Sequence, residues 1–268
     1  MVSGQKTLWA RFLEPLFSLA IDRQELKALL DSIDWETECD RLKSDHLLYP
    51  EYYLSQNFHG VEGGYLTSGA AVTYDPITQY VLLPREDWNR EAAIKAARGN
   101  PRKIIDLGCG TGSTTLMLKR TFADAEIVGL DLSPQMLVMA EYKAQQAGLN
   151  IHWQHGLAEE TGFADEEFDL VTASLLFHET PPKIAKAILQ EAYRLLSPGG
   201  QIIVLDGDQK TLRQTTWLTE IFEEPYINDY AEGNIDAWLG AAGFDRVRTE
   251  NLWWTNQLST GIKLFDRI

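Results

Sequence analysis

Cysteine is scarce in this chain: Cys39 and Cys109 are the only two in 268 residues. So few thiols exclude a disulfide framework, and a reducing, cytoplasmic setting is expected. Positive charge is also in deficit, with 24 Lys and Arg against 39 Asp and Glu, a formal net charge of -15. A protein that wraps a phosphate backbone needs a basic face, so nucleic acid is not an expected partner. No stretch reaches the roughly 18 apolar residues that a membrane-spanning helix needs, so no integral membrane association is expected. The first residues, Met1 to Lys6, lack the long apolar segment of a secretory leader. Internal repeats and low-complexity tracts are missing too. Histidine is sparse, and the one close pair, His152 and His155, lies three apart on a strand pattern, on opposite faces. A joint metal site there is not expected.

What remains is an ordinary globular composition, 44% hydrophobic, sufficient for one large domain or a core with an appended subdomain. From about Lys103 onward, apolar runs alternate with helical patterns. The spacing predicts strands at 103–107, 126–131, 151–155, 169–174 and 201–206, with helices at 113–121, 134–147 and 182–195 between them. Such alternation builds a parallel sheet. A further helix closes on a glycine cap at 236–243, and 247–254 with 261–265 reads as a hairpin. The first hundred residues differ. Leu13, Leu16, Phe17, Ala20 and Ile21, then Leu26, Leu29, Leu30 and Ile33, fall at helical spacing without strand signals. The expected domains are a helical cap over 1–100 and a core over 101–268.

The richest segment is Ile104-Ile-Asp-Leu-Gly-Cys-Gly-Thr-Gly112, an apolar strand that meets Asp106 and then glycines at 108, 110 and 112. Bare backbone at those positions lets a nucleoside-bearing cofactor approach closely. A dinucleotide fingerprint would need a third glycine at position 113, which is Ser113. A second apolar strand ends in Asp131, where Rossmann-like folds hold ribose hydroxyls, and Ser133-Pro134 opens the next helix with a good cap.

This pattern resembles the class I S-adenosylmethionine (SAM) dependent methyltransferases, in motif style the ubiquinone and menaquinone biosynthesis methyltransferases. Gly156-Leu-Ala-Glu-Glu-Thr-Gly-Phe163 and Arg194-Leu-Leu-Ser-Pro-Gly-Gly200 extend the likeness in the same order. The resemblance implies an α/β fold: a Rossmann-like, seven-stranded, mostly parallel sheet flanked by helices, its last strand antiparallel. It implies SAM as cofactor and S-adenosylhomocysteine as product. Cofactor contacts are expected from Asp106, Gly108, Gly110, Gly112, Asp131, Leu132, Leu157, Ala158 and Ser174. Leu157 departs from the family, replacing the acid that usually meets the adenine amino group. Adenine recognition then rests on backbone groups near Ala158 and on apolar packing. Tyr74 and Asp75, a Tyr-Asp pair before the first strand, are expected to close the pocket.

Methyl transfer is a displacement at a carbon already activated by sulfonium, so alignment and exclusion of water dominate and no metal is required. His178, just past the fourth strand, is the candidate base, with Glu179 to orient it or to cap the next helix. His59 in the glycine-rich lid and the wall Glu223 to Tyr230 are candidate acceptor contacts. At least one of Trp253 and Trp254, alternating on a strand, is expected in the core. The aromatic-rich segment 49–88 points to an apolar or ring-bearing small-molecule acceptor. The rival readings are a protein or peptide methyltransferase, a SAM-binding regulatory protein without catalysis, and, more remotely, a nicotinamide dehydrogenase. Oligomeric state is not legible.

Overall fold

A computed structural model describes residues 22–58, 63–81, 85–215, 217, 219 and 224–265. The apolar positions 13–21, His59 and Glu223 lie outside the described residues. Seven strands form one sheet in the order β3-β2-β1-β4-β5-β7-β6. They are β1 (Lys103–Leu107), β2 (Glu126–Asp131), β3 (His152–His155), β4 (Phe168–Ser174), β5 (Leu196–Gly207), β6 (Asp245–Leu252) and β7 (Asn256–Ile262). Pairing is parallel from β3 to β5, and β7 runs antiparallel to both β5 and β6. The predicted α/β architecture is therefore present, including the inserted antiparallel strand.

The central strands carry near-continuous apolar runs because helices cover both faces. Ile104, Ile105 and Leu107 on β1 and Val171 on β4 are wholly buried. Helix α6 (Ser113–Thr121) follows β1, α7 (Pro134–Gln146) follows β2, and α8 (Pro182–Leu195) follows β4. Ser133 caps α7, its hydroxyl accepting from the Met136 N–H at 3.1 Å. Chain order reverses between β1 and β4, so their carboxyl ends open the crevice where ligands of such sheets sit.

The preceding helices are α1 (Arg23–Ser32), α2 (Trp35–Leu42), the single turn α3 (Glu51–Leu54), α4 (Ser68–Val81) and α5 (Glu86–Lys95). Leu26, Leu29, Leu30 and Ile33 lean on an apolar cluster with Phe58, Tyr65, Met136 and Met139, which joins the cap to α7. Helix α5 packs more deeply: Ala93 and Ile94 share a core cluster with Ile104, Leu118 and Leu170. No described helix is long and apolar enough to cross a membrane.

The carboxyl-terminal hairpin differs from expectation in two respects. The hairpin turns at Trp253 to Thr255, so β7 starts five residues earlier than the expected 261. Leaving the strand ladder puts Trp253 (φ 52°) and Trp254 outside the core, and they are 58% and 54% exposed. Alternation along a strand would bury one of them, but both fall in the tight turn between β6 and β7, which has no buried face. His152 is exposed and His155 buried, as opposite faces of β3 require. The short strand carries His155 to the cap, where its Nδ1 accepts from the Ser44 N–H at 3.0 Å.

Candidate active site

The site is built on the carboxyl ends of β1, β2 and β4. Asp106 is wholly enclosed at the end of β1, its two oxygens accepting from the Thr115 and Thr172 hydroxyls at 2.6 and 2.7 Å. Burial pushes its carboxyl upward, against those hydrogen bonds and the nearby Arg90. The glycine loop that follows divides its labour. Gly108 has φ 64°, and a Cβ there would lie 2.7 Å from the Leu176 side chain. Gly112, with φ 77°, caps α6 and faces Trp153 and Ala140. Gly110 (φ 54°) has no protein atom within 4 Å of the place a Cβ would take. Its bare backbone faces open pocket.

Asp131 closes β2 beside this loop. One carboxylate oxygen accepts from the Gly110 N–H at 2.7 Å and the other from the Ser133 N–H at 2.8 Å. Each retains a lone pair for a ligand hydroxyl. Burial pushes the Asp131 carboxyl up to about 6, although the surrounding N–H groups oppose this.

One cavity takes in Asp106, Gly108, Gly110, Asp131, Leu132, Ala158 and Ser174. Gly112, Leu157 and His178 stand outside its described lining. Gly112 serves the helix start, and Leu157 lies in a short bridge with Glu160. An acid nevertheless faces this end of the cavity. Glu159, two residues beyond Leu157, lines it and accepts from the Tyr52 hydroxyl at 3.0 Å. No motif in the sequence marks Glu159, which the fold brings to the cavity.

The opposite wall comes from the cap: Tyr52, Tyr53, Phe58, Tyr65 and Tyr74. Phe58 and Tyr65 stack with centroids 5.3 Å apart and planes 13° apart, and Tyr74 meets Tyr65 edge-on at 5.8 Å. Asp75 fastens α4 over the glycine loop: its carboxylate accepts from the Thr111 and Ser113 hydroxyls and pairs with Lys143, the last at 2.5 Å. The enriched aromatics signalled this wall in the sequence. Arg90, on α5 and also lining the cavity, gave no such signal.

His178 lies in a 3-10 turn, Phe177–Glu179. Asp206, at the end of β5 and fully buried, accepts from His178 Nδ1 at 2.6 Å and from the Phe177 N–H at 2.8 Å. Burial disfavours the imidazolium, but the Asp206 carboxylate, with Glu179 and Glu224 behind it, outweighs that and pushes the ring up to about 9. The other ring nitrogen stands 3.8 Å from the Glu179 carboxylate, which lines the cavity and accepts from the Tyr65 hydroxyl at 2.6 Å. No group of three or more potential metal ligands occurs among the described residues.

A methyltransferase domain model matches residues 104–200. The chain is 39% identical to a demethylmenaquinone methyltransferase of Thermus thermophilus over 56% of this chain and 69% of the relative. It is 34% identical to the enzyme of the same name from Lactiplantibacillus plantarum, over 65% of this chain and 77% of the relative. The fold matches a SAM-dependent methyltransferase structure from Aquifex aeolicus with a TM-score of 0.57 at 17% identity, covering 74% of this chain and 99% of that one.

Proposed function

Because the chain belongs to the class I SAM-dependent methyltransferases, related to the ubiquinone and menaquinone biosynthesis C-methyltransferases, and is thus an enzyme that uses SAM, we propose that it methylates a flat, ring-bearing small molecule of the quinone type. The observation that carries this reading is the aromatic wall facing the glycine loop. Stacked Phe58 and Tyr65 with edge-on Tyr74 offer ring faces and edges, surfaces that bind planar π-systems. The names of the relatives, demethylmenaquinone methyltransferases, agree with such an acceptor.

The residues fit the cofactor. Gly110 offers bare backbone to the open cavity, and Asp131 can accept from two vicinal hydroxyls. Leu132 and Ala158 give apolar surface for a base, with Glu159 as a carboxylate nearby. When bound, SAM supplies a methyl group on a sulfonium, which becomes a neutral thioether on transfer. The cap and α4, pinned by Asp75, shut out water and hold the acceptor in line.

The acceptor's proton leaves toward Glu179, the carboxylate on the cavity wall, and passes to His178 behind it. Asp206 fixes the ring and stabilises the imidazolium that results. With a ring pKa of about 9, the neutral form that can accept a proton is a small fraction at neutral pH. Turnover is therefore expected to rise with pH toward 9.

The test is incubation of the purified protein with SAM and a reduced naphthoquinone or simpler hydroquinone, followed by mass spectrometry. A product one methyl heavier supports the reading. Turnover confined to the macromolecular fraction of a cell extract, with none on small molecules, overturns it in favour of a protein or peptide acceptor.

A further inference from the structure

The cavity is rich in acids and poor in cations. Its described lining carries four carboxylates, Asp106, Asp131, Glu159 and Glu179, and one cation, Arg90. SAM carries a single anionic group, the carboxylate of its amino-acid tail, beside the cationic sulfonium and ammonium. We propose that Arg90 holds that carboxylate. The proposal rests on the SAM-binding reading of this cavity and assigns a residue outside the glycine and acid motifs.

Arg90 projects from α5 and is 5% exposed, so its charge has been taken out of water. Its Nε and Nη2 donate to one oxygen of Glu86 at 2.8 and 2.6 Å, and its Nη1 donates to the Thr114 hydroxyl. A guanidinium has five N–H donors. Three are engaged, and two, on the terminal nitrogens, have no partner among the described contacts. Thr114 in turn donates to the Ser174 hydroxyl at 3.1 Å, which sets the guanidinium between the start of α6 and the end of β4. That is the reversal point of the sheet, on the Gly108 side of the cavity.

The surroundings prepare the group rather than consume it. Glu86 is itself fixed by the Thr78 hydroxyl at 2.9 Å, so the guanidinium plane is held before any ligand arrives. A charge-assisted, two-pronged contact to a carboxylate suits arginine geometry. The same Arg would repel the sulfonium and ammonium, leaving Asp106 and the loop carbonyls to face the cationic groups.

Calorimetry with S-adenosylhomocysteine and its decarboxylated analogue, which keeps the adenosine and the amine, tests this. The native protein should prefer S-adenosylhomocysteine by about 100-fold, the scale of a buried charge-assisted contact. Arg90→Met should abolish most of that preference while changing affinity for the analogue by less than about threefold. Because a lone Glu86 carboxylate could destabilise the fold, Glu86→Gln/Arg90→Met removes the pair together and should show the same selective loss. Equal weakening of both ligands, or no weakening of either, overturns the assignment. So does native protein that binds the two equally, a result that needs no variant. Failure of the native protein to bind either ligand would instead sink the cofactor reading of the cavity.

Discussion

The two walls of the cavity are built on different principles. The wall from β1, β2 and their loops works through backbone: Gly110 lies bare to the cavity, and Asp131 is set by two N–H groups at 2.7 and 2.8 Å. The wall from the cap works through ring faces, Phe58 on Tyr65 with Tyr74 against its edge. Backbone recognition tolerates little change, since a side chain at Gly108 would strike Leu176 and demand a left-handed φ. Ring surfaces can be exchanged among aromatic residues with modest loss. On the function proposed above, the rigid wall meets the cofactor and the adaptable one the acceptor.

This contrast can be broken by experiment. The largest expected effect is on chemistry: His178→Ala should lower turnover by ~100-fold or more while leaving S-adenosylhomocysteine affinity within about threefold. Unchanged turnover with the native acceptor would remove His178 from proton transfer. On the rigid wall, Asp131→Ala should weaken S-adenosylhomocysteine by about 100-fold in calorimetric titration. Native binding should also fade as pH falls through about 6, because the protonated carboxyl loses acceptor capacity. A pH-independent affinity would show that Asp131 does not act through its charge.

On the adaptable wall, Tyr65→Phe keeps the ring face but removes the donor to Glu179, so kcat/KM for the acceptor should fall roughly fivefold while cofactor affinity is left alone. Equal effects on both ligands would erase the division between walls. The His178–Asp206 pair also bears on stability. Its folded pKa of about 9 lies above the ordinary 6.5, so its contribution is full below 6.5 and is lost as pH rises through about 9. The melting temperature should fall by on the order of 5 °C across that window, and the decline should flatten in His178→Ala. A native profile as flat as the variant's would count against a charged pair. Smallest of all is the response to chelation: EDTA should leave turnover unchanged, whereas loss restored by magnesium would reveal a metal that the acid placement did not signal.

How much could be read beforehand follows the same divide. Asp106, Gly108, Gly110 and Asp131 were legible because each occupies a fixed offset from a strand end, and strand ends converge in a parallel sheet. The β6–β7 turn was misplaced because Trp253 and Trp254 look like strand residues, yet both occupy an exposed turn. Gly112 and Leu157, near in sequence to cavity residues, stand outside the cavity's described lining, one at a helix start and the other in a local bridge. Glu159 and Arg90 carried no motif and became visible only when distant segments met.

Spacing along the chain is enough to set the alternating α/β order, the glycine loop and the acid that ends β2. Those features are local, set by spacing along one strand and the turn that follows it. Tertiary structure alone decided that Asp206, 28 residues from His178, grips the imidazole, that Tyr65 meets Glu179 across 114 residues, and that Arg90 turns into the cavity. Contacts of that kind depend on how strands order themselves in the sheet and how the cap docks on α7, neither of which is written in any short window of residues.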